Sequence, residues 1–172
     1  MQQSTITEIF SNAYFSLSVV WASELILSTA LHFPQPEKIF NYSHYSLIIK
    51  TNLKNYAQKK TVYWPTPPLK WDQLSAFAQH TLKTLFQTVP FGQTISYTDL
   101  AQKIGKPKAA RAIGQVMAKN PFPLIIPCHR VVAKHHLGGF TPHPKLKKIL
   151  LQLEGIKLYQ HQLPHTIIQT SQ

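Results

Sequence analysis

Residues 89–132 read VPFGQTISYTDLAQKIGKPKAARAIGQVMAKNPFPLIIPCHRVV, and this stretch decides the fold of the second half of the chain. Ser96 stands just before an apolar-periodic run, with Asp99 three residues on, the pattern of a capped helix start. The spacing predicts a helix over about 97–104 that stops at Gly105. Pro107 suits a first helical turn, so a second helix is predicted over 108–119. Two short helices across a glycine-containing turn make a helix-turn-helix. The second helix sets Ala109, Ala110, Ala112 and Gly114 around Arg111. Such a face can approach a nucleic-acid backbone closely while one long cation reaches inward, and the helix N-terminus favours phosphate.

The end of the stretch carries the chemistry. Pro121, Pro123 and Pro127 stiffen a short apolar run, and the only cysteine, Cys128, lies between Pro127 and His129, with Arg130 next. Two readings stand at this level. A lone cysteine among apolar residues is most often a buried, inert one. An imidazole and a guanidinium beside it argue instead for a stabilised thiolate, the nucleophilic form. A third member would be an acid, and Glu154 is the sole acid after Cys128. It follows an apolar-periodic helix over 146–153 and precedes Gly155. A carboxylate there can orient His129 so that the ring accepts the thiol proton.

Working outward, the apolar residues of 71–86 recur at helical spacing (Leu74, Phe77, Ala78, Leu82, Leu85), which predicts an amphipathic helix. Residues 63–70, YWPTPPLK, read as a rigid linker. Ahead of it, Phe15, Leu17, Val19 and Trp21 alternate with polar residues, and Tyr45 to Ile49 form a short apolar run. Both predict strands, with 23–32 or 36–40 as helix. The fold class expected is an α/β N-terminal domain over 1–68. It is followed over 69–172 by a mostly helical C-terminal domain with a winged-helix-like helix-turn-helix.

Charge and cysteine count narrow the function. The chain has 172 residues, 18 Lys plus Arg against 6 Asp plus Glu, and a net charge of +12 although charged residues are only 14 %. The basicity comes from scarce acids. Residues 71–172 hold 10 Lys and both Arg against Asp72, Asp99 and Glu154, so a polyanion partner is expected to dock there. One cysteine excludes an intrachain disulfide framework and any Cys-rich metal site. His135, His136 and His143 lack ligand spacing and read as loop residues, so no metal and no cofactor are expected. The first 30 residues contain Glu8 and Glu24 and no Lys or Arg, unlike a secretion signal, and serines break the apolar stretch that follows. A cytoplasmic protein, nucleoid-associated in a prokaryote, with no membrane partner, is the expectation.

The stretch from Val89 to Val132 resembles the C-terminal domain of the O6-alkylguanine-DNA alkyltransferases, also called methylated-DNA–protein-cysteine methyltransferases. The Pro-Cys-His-Arg-Val core, the upstream Ala-Arg-Ala-x-Gly helix, the Asn-Pro turn and the later Leu-Glu-Gly carry the likeness over about residues 71–158. The resemblance implies that Cys128 takes the alkyl group from guanine O6, and from O4 of thymine, and keeps it as a thioether. His129 would act as base through a bridging water, oriented by Glu154. Arg111 would fill the stack left by a flipped guanine, and Tyr97 would lie against the target phosphate. Asn120 would tie the helix-turn-helix to the cysteine segment, and Ala109 and Ala110 would form the close-contact face. Thr141 would stand near guanine O6, and Arg130 is counted with the substrate- and DNA-binding residues. The partner implied is double-stranded DNA carrying O6-alkylguanine, the chain acting as a monomer, once per molecule.

One segment departs from the family pattern. Where a flexible Ser-Gly-Gly loop is usual, this chain has Thr141-Pro142-His143-Pro144, which predicts a narrowed pocket that tolerates methyl best. The competing reading is a non-catalytic lesion-recognition module like the alkyltransferase-like proteins, which carry another residue at the cysteine. A cysteine hydrolase or redox enzyme is disfavoured by the recognition helix and the lack of a resolving cysteine.

Overall fold

A computed structural model describes residues 4–158. The chain opens with an antiparallel meander of β1 (Thr5–Ser11), β2 (Ser16–Ala22) and β3 (Leu25–His32). The alternation read from the sequence places Leu17, Val19 and Trp21 of β2 in the core, with Phe15 just ahead of the strand. The side chain of Asn12 shapes the first hairpin, its Oδ1 accepting from the backbone N–H of Tyr14 and Phe15. Residues 23–32 are therefore not helical: all but the first two form β3, because Leu25–His32 pair with Ser16–Ala22 across the sheet and bury Ile26 and Leu31.

The Tyr45 to Ile49 run is likewise not a strand. It begins α1 (His44–Ala57), which Ser43 caps in a reciprocal box with Ser46. The helix buries Tyr45, Ile49, Asn52, Leu53 and Tyr56, a three-and-four spacing, and leaves Leu47 exposed. Glu8, fully buried on β1, anchors the approach to α1 by accepting from the N–H groups of Phe40 and Tyr42 and from the Ser46 hydroxyl.

After the proline segment a single 3-10 turn (Trp71–Gln73) precedes α2 (Ala76–Thr88), which starts at the Ser75 cap. The expected helix over 71–86 thus begins late. A two-residue strand β4 (Ile95–Ser96) leads into α3 (Tyr97–Lys103), and the Ser96 side chain accepts from the Asp99 N–H as its sequence position foretold. The next helix, α4 (Ala110–Ala118), has Ala109 as its N-cap and does not begin at Pro107, since residues 106–108 form the turn. Ile113 and Met117 of α4 pack into the core beside Leu100 and Ala101 of α3.

Three placements bring the cysteine segment into position. The single 3-10 turn Cys128–Arg130 runs into β5 (Val131–Val132), which pairs in parallel with β4, Ile95 opposite Val131 and Ser96 opposite Val132. That pairing sets Tyr97 beside the cysteine turn. From the other side, β3 clamps the proline-rich turn: Thr29 N–H donates to the Pro121 carbonyl at 2.8 Å, and Thr29 Oγ1 donates to the Pro123 carbonyl at 2.8 Å. Within the clamp Leu124 holds φ +76°, a left-handed conformation that a β-bearing side chain adopts only when its surroundings impose it. Last, α5 (Pro144–Leu153) ends at Glu154, delivering its carboxylate to the cysteine turn. A continuous apolar cluster, from Phe10 to Leu153, joins the sheet to the helices.

Thr29→Val keeps the shape of the side chain but leaves the Pro123 carbonyl without its donor. Urea unfolding is expected to show a loss of about 1–2 kcal/mol, the usual effect of orphaning one buried acceptor.

Candidate active site

Cys128 is 5 % exposed and forms part of the wall of a cavity of about 190 Å³. The cavity is lined by Tyr97 of α3, by Gly114, Met117 and Ala118 of α4, and by Gly139, Phe140 and Thr141. Burial pushes the thiol above its ordinary value; the Asn120 amide, the Lys147 ammonium and the local backbone N–H groups offset part of that rise. At rest the thiol is therefore protonated and needs a base.

A group able to take that proton stands next to it in the chain. His129 is fully buried, and its Nε2 lies 2.7 Å from Glu154 Oε1. Glu154 carries no proton: burial alone would raise its pKa, but the His129 ring and the Arg130 guanidinium more than reverse this and hold it at about 2. An ionised carboxylate can only accept, so Nε2 carries the hydrogen and Nδ1 presents a lone pair. Nδ1 is buried and has no protein partner among the described residues. Burial, opposed by Glu154, holds the imidazole below its ordinary value, which keeps it neutral and able to take a proton.

Glu154 is held from several directions. Oε1 also accepts from Tyr56 Oη at 2.8 Å and Arg130 Nη2 at 3.0 Å. Oε2 accepts from Arg130 Nε at 2.9 Å and from the Gly92 N–H at 3.2 Å. Gly92 has φ +79°, and a Cβ there would come within 3.3 Å of the Glu154 carbonyl oxygen, so only glycine brings that N–H in close. Arg130 Nη1 donates to the Val89 carbonyl at 2.9 Å.

Comparison with known proteins fits this geometry. Residues 76–156 match the sequence profile of "6-O-methylguanine DNA methyltransferase, DNA binding domain". A methylated-DNA–protein-cysteine methyltransferase of Methanocaldococcus vulcanius is 45 % identical over 84 residues, and one of Thermococcus sibiricus is 37 % identical over 91. Those matches cover 49 % and 53 % of this chain, and the chain spans about half the length of the curated relatives it matches, 50 % and 51 %. Across more of the molecule, the crystal structure of Mycobacterium tuberculosis O6-methylguanine methyltransferase superposes with a TM-score of 0.68 at 25 % identity, covering 88 % of this chain and 93 % of that one. The structure of the M. tuberculosis protein in complex with DNA gives 0.68 at 26 % identity, covering 85 % and 90 %. Residues 76–156 thus match the DNA-binding domain of the 6-O-methylguanine DNA methyltransferases, and the fold as a whole is like that of O6-methylguanine methyltransferase.

The alkyltransferase residues named from the sequence fall into two groups. Cys128, Tyr97, Thr141 and Asn120 gather around the thiol, and His129 and Glu154 form a hydrogen-bonded pair. Asn120 bridges the turn, its Oδ1 accepting from the Phe122 N–H and its Nδ2 donating to the Ile126 carbonyl, both at 3.0 Å. Thr141 Oγ1 donates to the Ala118 carbonyl at 3.0 Å, fastening the loop over the cavity to α4. Gly138, at φ +73°, gives Tyr97 its place, since a Cβ there would lie 3.0 Å from the Tyr97 hydroxyl. Apart from this cluster, Ala109, Ala110 and Arg111 sit at the start of α4, with Arg111 exposed.

Arg130, counted from the sequence with the substrate- and DNA-binding residues, has its guanidinium buried against Glu154 and Val89 and faces a separate cavity of about 730 Å³ that contains no thiol. Pro142, His143 and Pro144 are not among the residues that line the thiol cavity. His143 is the N-cap of α5, accepting from the Lys145 N–H, and Pro144 takes the first helical position.

Lys147 and Tyr56 escaped the sequence reading. Lys147 is 1 % exposed, and its Nζ donates to the carbonyls of Val131 at 2.8 Å and Gly139 at 3.3 Å. It therefore ties the strand after the cysteine to the cavity wall. Burial, opposed by the nearby Cys128, pushes its ammonium down to about 8. Helical spacing offered a signal, for Lys147 shares a face of α5 with Leu150, Leu151 and Glu154. Tyr56 offered none, because its partner lies 98 residues away.

Lys147→Met removes a buried positive charge from beside the thiol. The Cys128 thiolate should then form at higher pH, read from ultraviolet thiolate absorbance against a Cys128→Ser blank.

Acid sensitivity follows from the same groups. Glu154 is depressed from 4.5 to about 2, so its contribution to stability is full above pH 4.5 and lost as pH falls through 2. His129, also depressed, destabilises the fold once pH drops below its ordinary 6.5, because the unfolded ring then binds more protons. Urea unfolding is expected to weaken from about pH 6.5 downward, and Glu154→Gln to flatten the part between 4.5 and 2 while lowering stability at neutral pH.

Proposed function

We propose that this chain repairs DNA by moving a methyl or small alkyl group from O6 of guanine, and from O4 of thymine, onto Cys128, once per molecule. The observation that carries this reading is the Cys128 thiol in its cavity with a neutral His129, fixed by Glu154, next to it in the chain. His129 takes the thiol proton, through a bridging water in the family's manner. The thiolate then forms an S–C bond as the C–O6 bond breaks, and the guanine oxygen keeps the electron pair. The thioether has no labile leaving group, and with a single cysteine in the chain no second thiol exists to release it.

The target carbon cannot reach a buried thiol from inside a stacked duplex, so the nucleotide must be extruded, which costs a few kcal/mol. Arg111, exposed at the start of α4, offsets this by occupying the emptied stack, and the surrounding lysines hold phosphate without sequence preference. Residues 1–68 and 69–172 act as two domains, the second docking on duplex DNA as a monomer. A working compartment that keeps the thiol reduced, the cytoplasm, suits this chemistry. No helix among the described residues is long and apolar enough to cross a membrane.

Incubation with O6-methylguanine duplex should add one methyl group, about 14 Da, to the peptide holding Cys128, with a stoichiometry near one. No mass gain on folded, DNA-bound protein would favour the lesion-recognition reading instead. Cys128→Ala should abolish transfer and keep most DNA affinity. Arg111→Ala should slow transfer from duplex by ~10–100-fold while changing reaction with a free O6-alkylguanine base far less, because only the duplex needs extrusion. Equal losses on both substrates would remove Arg111 from this role.

A further inference from the structure

Glu154 Oε1 accepts from His129, Arg130 and Tyr56. The first two follow the thiol directly in sequence. Tyr56 comes from the last turn of α1, in the first part of the chain, and it is fully buried. Its ring is gripped on two sides, edge-on by Phe15 with centroids 5.7 Å apart and tilted against Phe91 at 5.5 Å. Phe91 in turn lies under the Arg130 guanidinium at 5.8 Å. The hydroxyl therefore has one orientation available, aimed at the oxygen that also binds His129.

We propose that Tyr56 is a positioning residue through which the first domain sets how tightly Glu154 holds the His129 proton. A hydrogen bond donated to Oε1 draws electron density from the atom that attracts the imidazole hydrogen, and so weakens that attraction. Without it, Oε1 would favour the doubly protonated imidazolium more strongly, and as pH falls a larger share of His129 would be charged and unable to act as base. Tyr56 is suited to constant donation because burial, reinforced by Glu154, pushes its own ionisation well above the ordinary value. The groups facing His129 are Glu154 at the end of α5, Arg130 beside it in the turn and Lys147 within α5. Arg130 and Lys147 carry charges that oppose imidazolium, as Tyr56 does indirectly. Tyr56 is the contributor among these that lies outside the second part of the chain. The first part thus holds both ends of the site, Thr29 on the proline turn and Tyr56 on the carboxylate.

This role rests on His129 being the base for transfer to Cys128, and two measurements separate the two claims. The first is the pH–rate profile of single-turnover methyl transfer from O6-methylguanine duplex. Tyr56→Phe should move its acid limb upward by about half a pH unit or more, leaving the high-pH plateau within a few-fold of the parent. Site-specific 3-fluorotyrosine at position 56, a stronger donor of nearly the same size, should move the limb the other way. The second is an NMR titration of the His129 ring in the full chain without DNA, in which the same variants should shift the imidazole in the same two directions. A uniform loss of rate with an unmoved limb and an unmoved His129 titration would make Tyr56 purely structural and overturn the inference. If Tyr56→Phe does not fold, the fluorotyrosine shift alone decides, and its absence overturns the inference. Absence of transfer in the parent chain would instead sink the repair reading, while the His129 titration would still test Tyr56.

Discussion

The buried carboxylate of Glu154 is the interaction on which the rest of the site depends. A carboxylate removed from water is costly unless its lone pairs are met, and here five donor groups meet them. Those donors come from α1, from the turn after α2 and from the cysteine turn, so the charge is compensated only when all three have packed together. Removal of one partner leaves an uncompensated charge at the centre of the molecule. The same arrangement selects the His129 tautomer, which ties the stability of the fold to the chemistry of the thiol.

Around this anchor the electrostatics divide the labour. Cys128 is held protonated by burial, His129 is held neutral by burial, and Lys147 supplies a nearby positive charge that favours the thiolate once the proton leaves. A thiol kept protonated inside a small cavity is shielded from casual electrophiles. The cavity wall is made by α3, α4 and the loop before α5, so the helix-turn-helix is also the wall of the thiol cavity.

Local signals carried the helix-turn-helix, because caps and stops act within a few residues: Ser96 caps α3, and Gly105 follows its end. Cys128, His129 and Glu154 were legible from composition, since one cysteine and one downstream acid left few choices. The first part of the chain was misread where a short apolar run fits both periods. Tyr45 to Ile49 became helix and 25–32 became strand, decided by the Ser43 cap and by pairing with β2. The surroundings of Arg130 and of the Pro142–Pro144 segment were not legible for another reason: they depend on which residues stand opposite.

The sequence by itself thus determined the lone cysteine with its histidine neighbour, the helix-turn-helix and the basic character of the second part, all properties of neighbouring residues or of bulk charge. The tertiary structure alone decided that Arg130 turns inward, that Lys147 is buried beside the thiol and that Tyr56 reaches Glu154. Each of these pairs residues far apart in sequence, through burial that no local pattern encodes. Whether a polar group is solvated or paired is settled by what packs against it, and that is set only once β3 and α1 close over the cysteine turn.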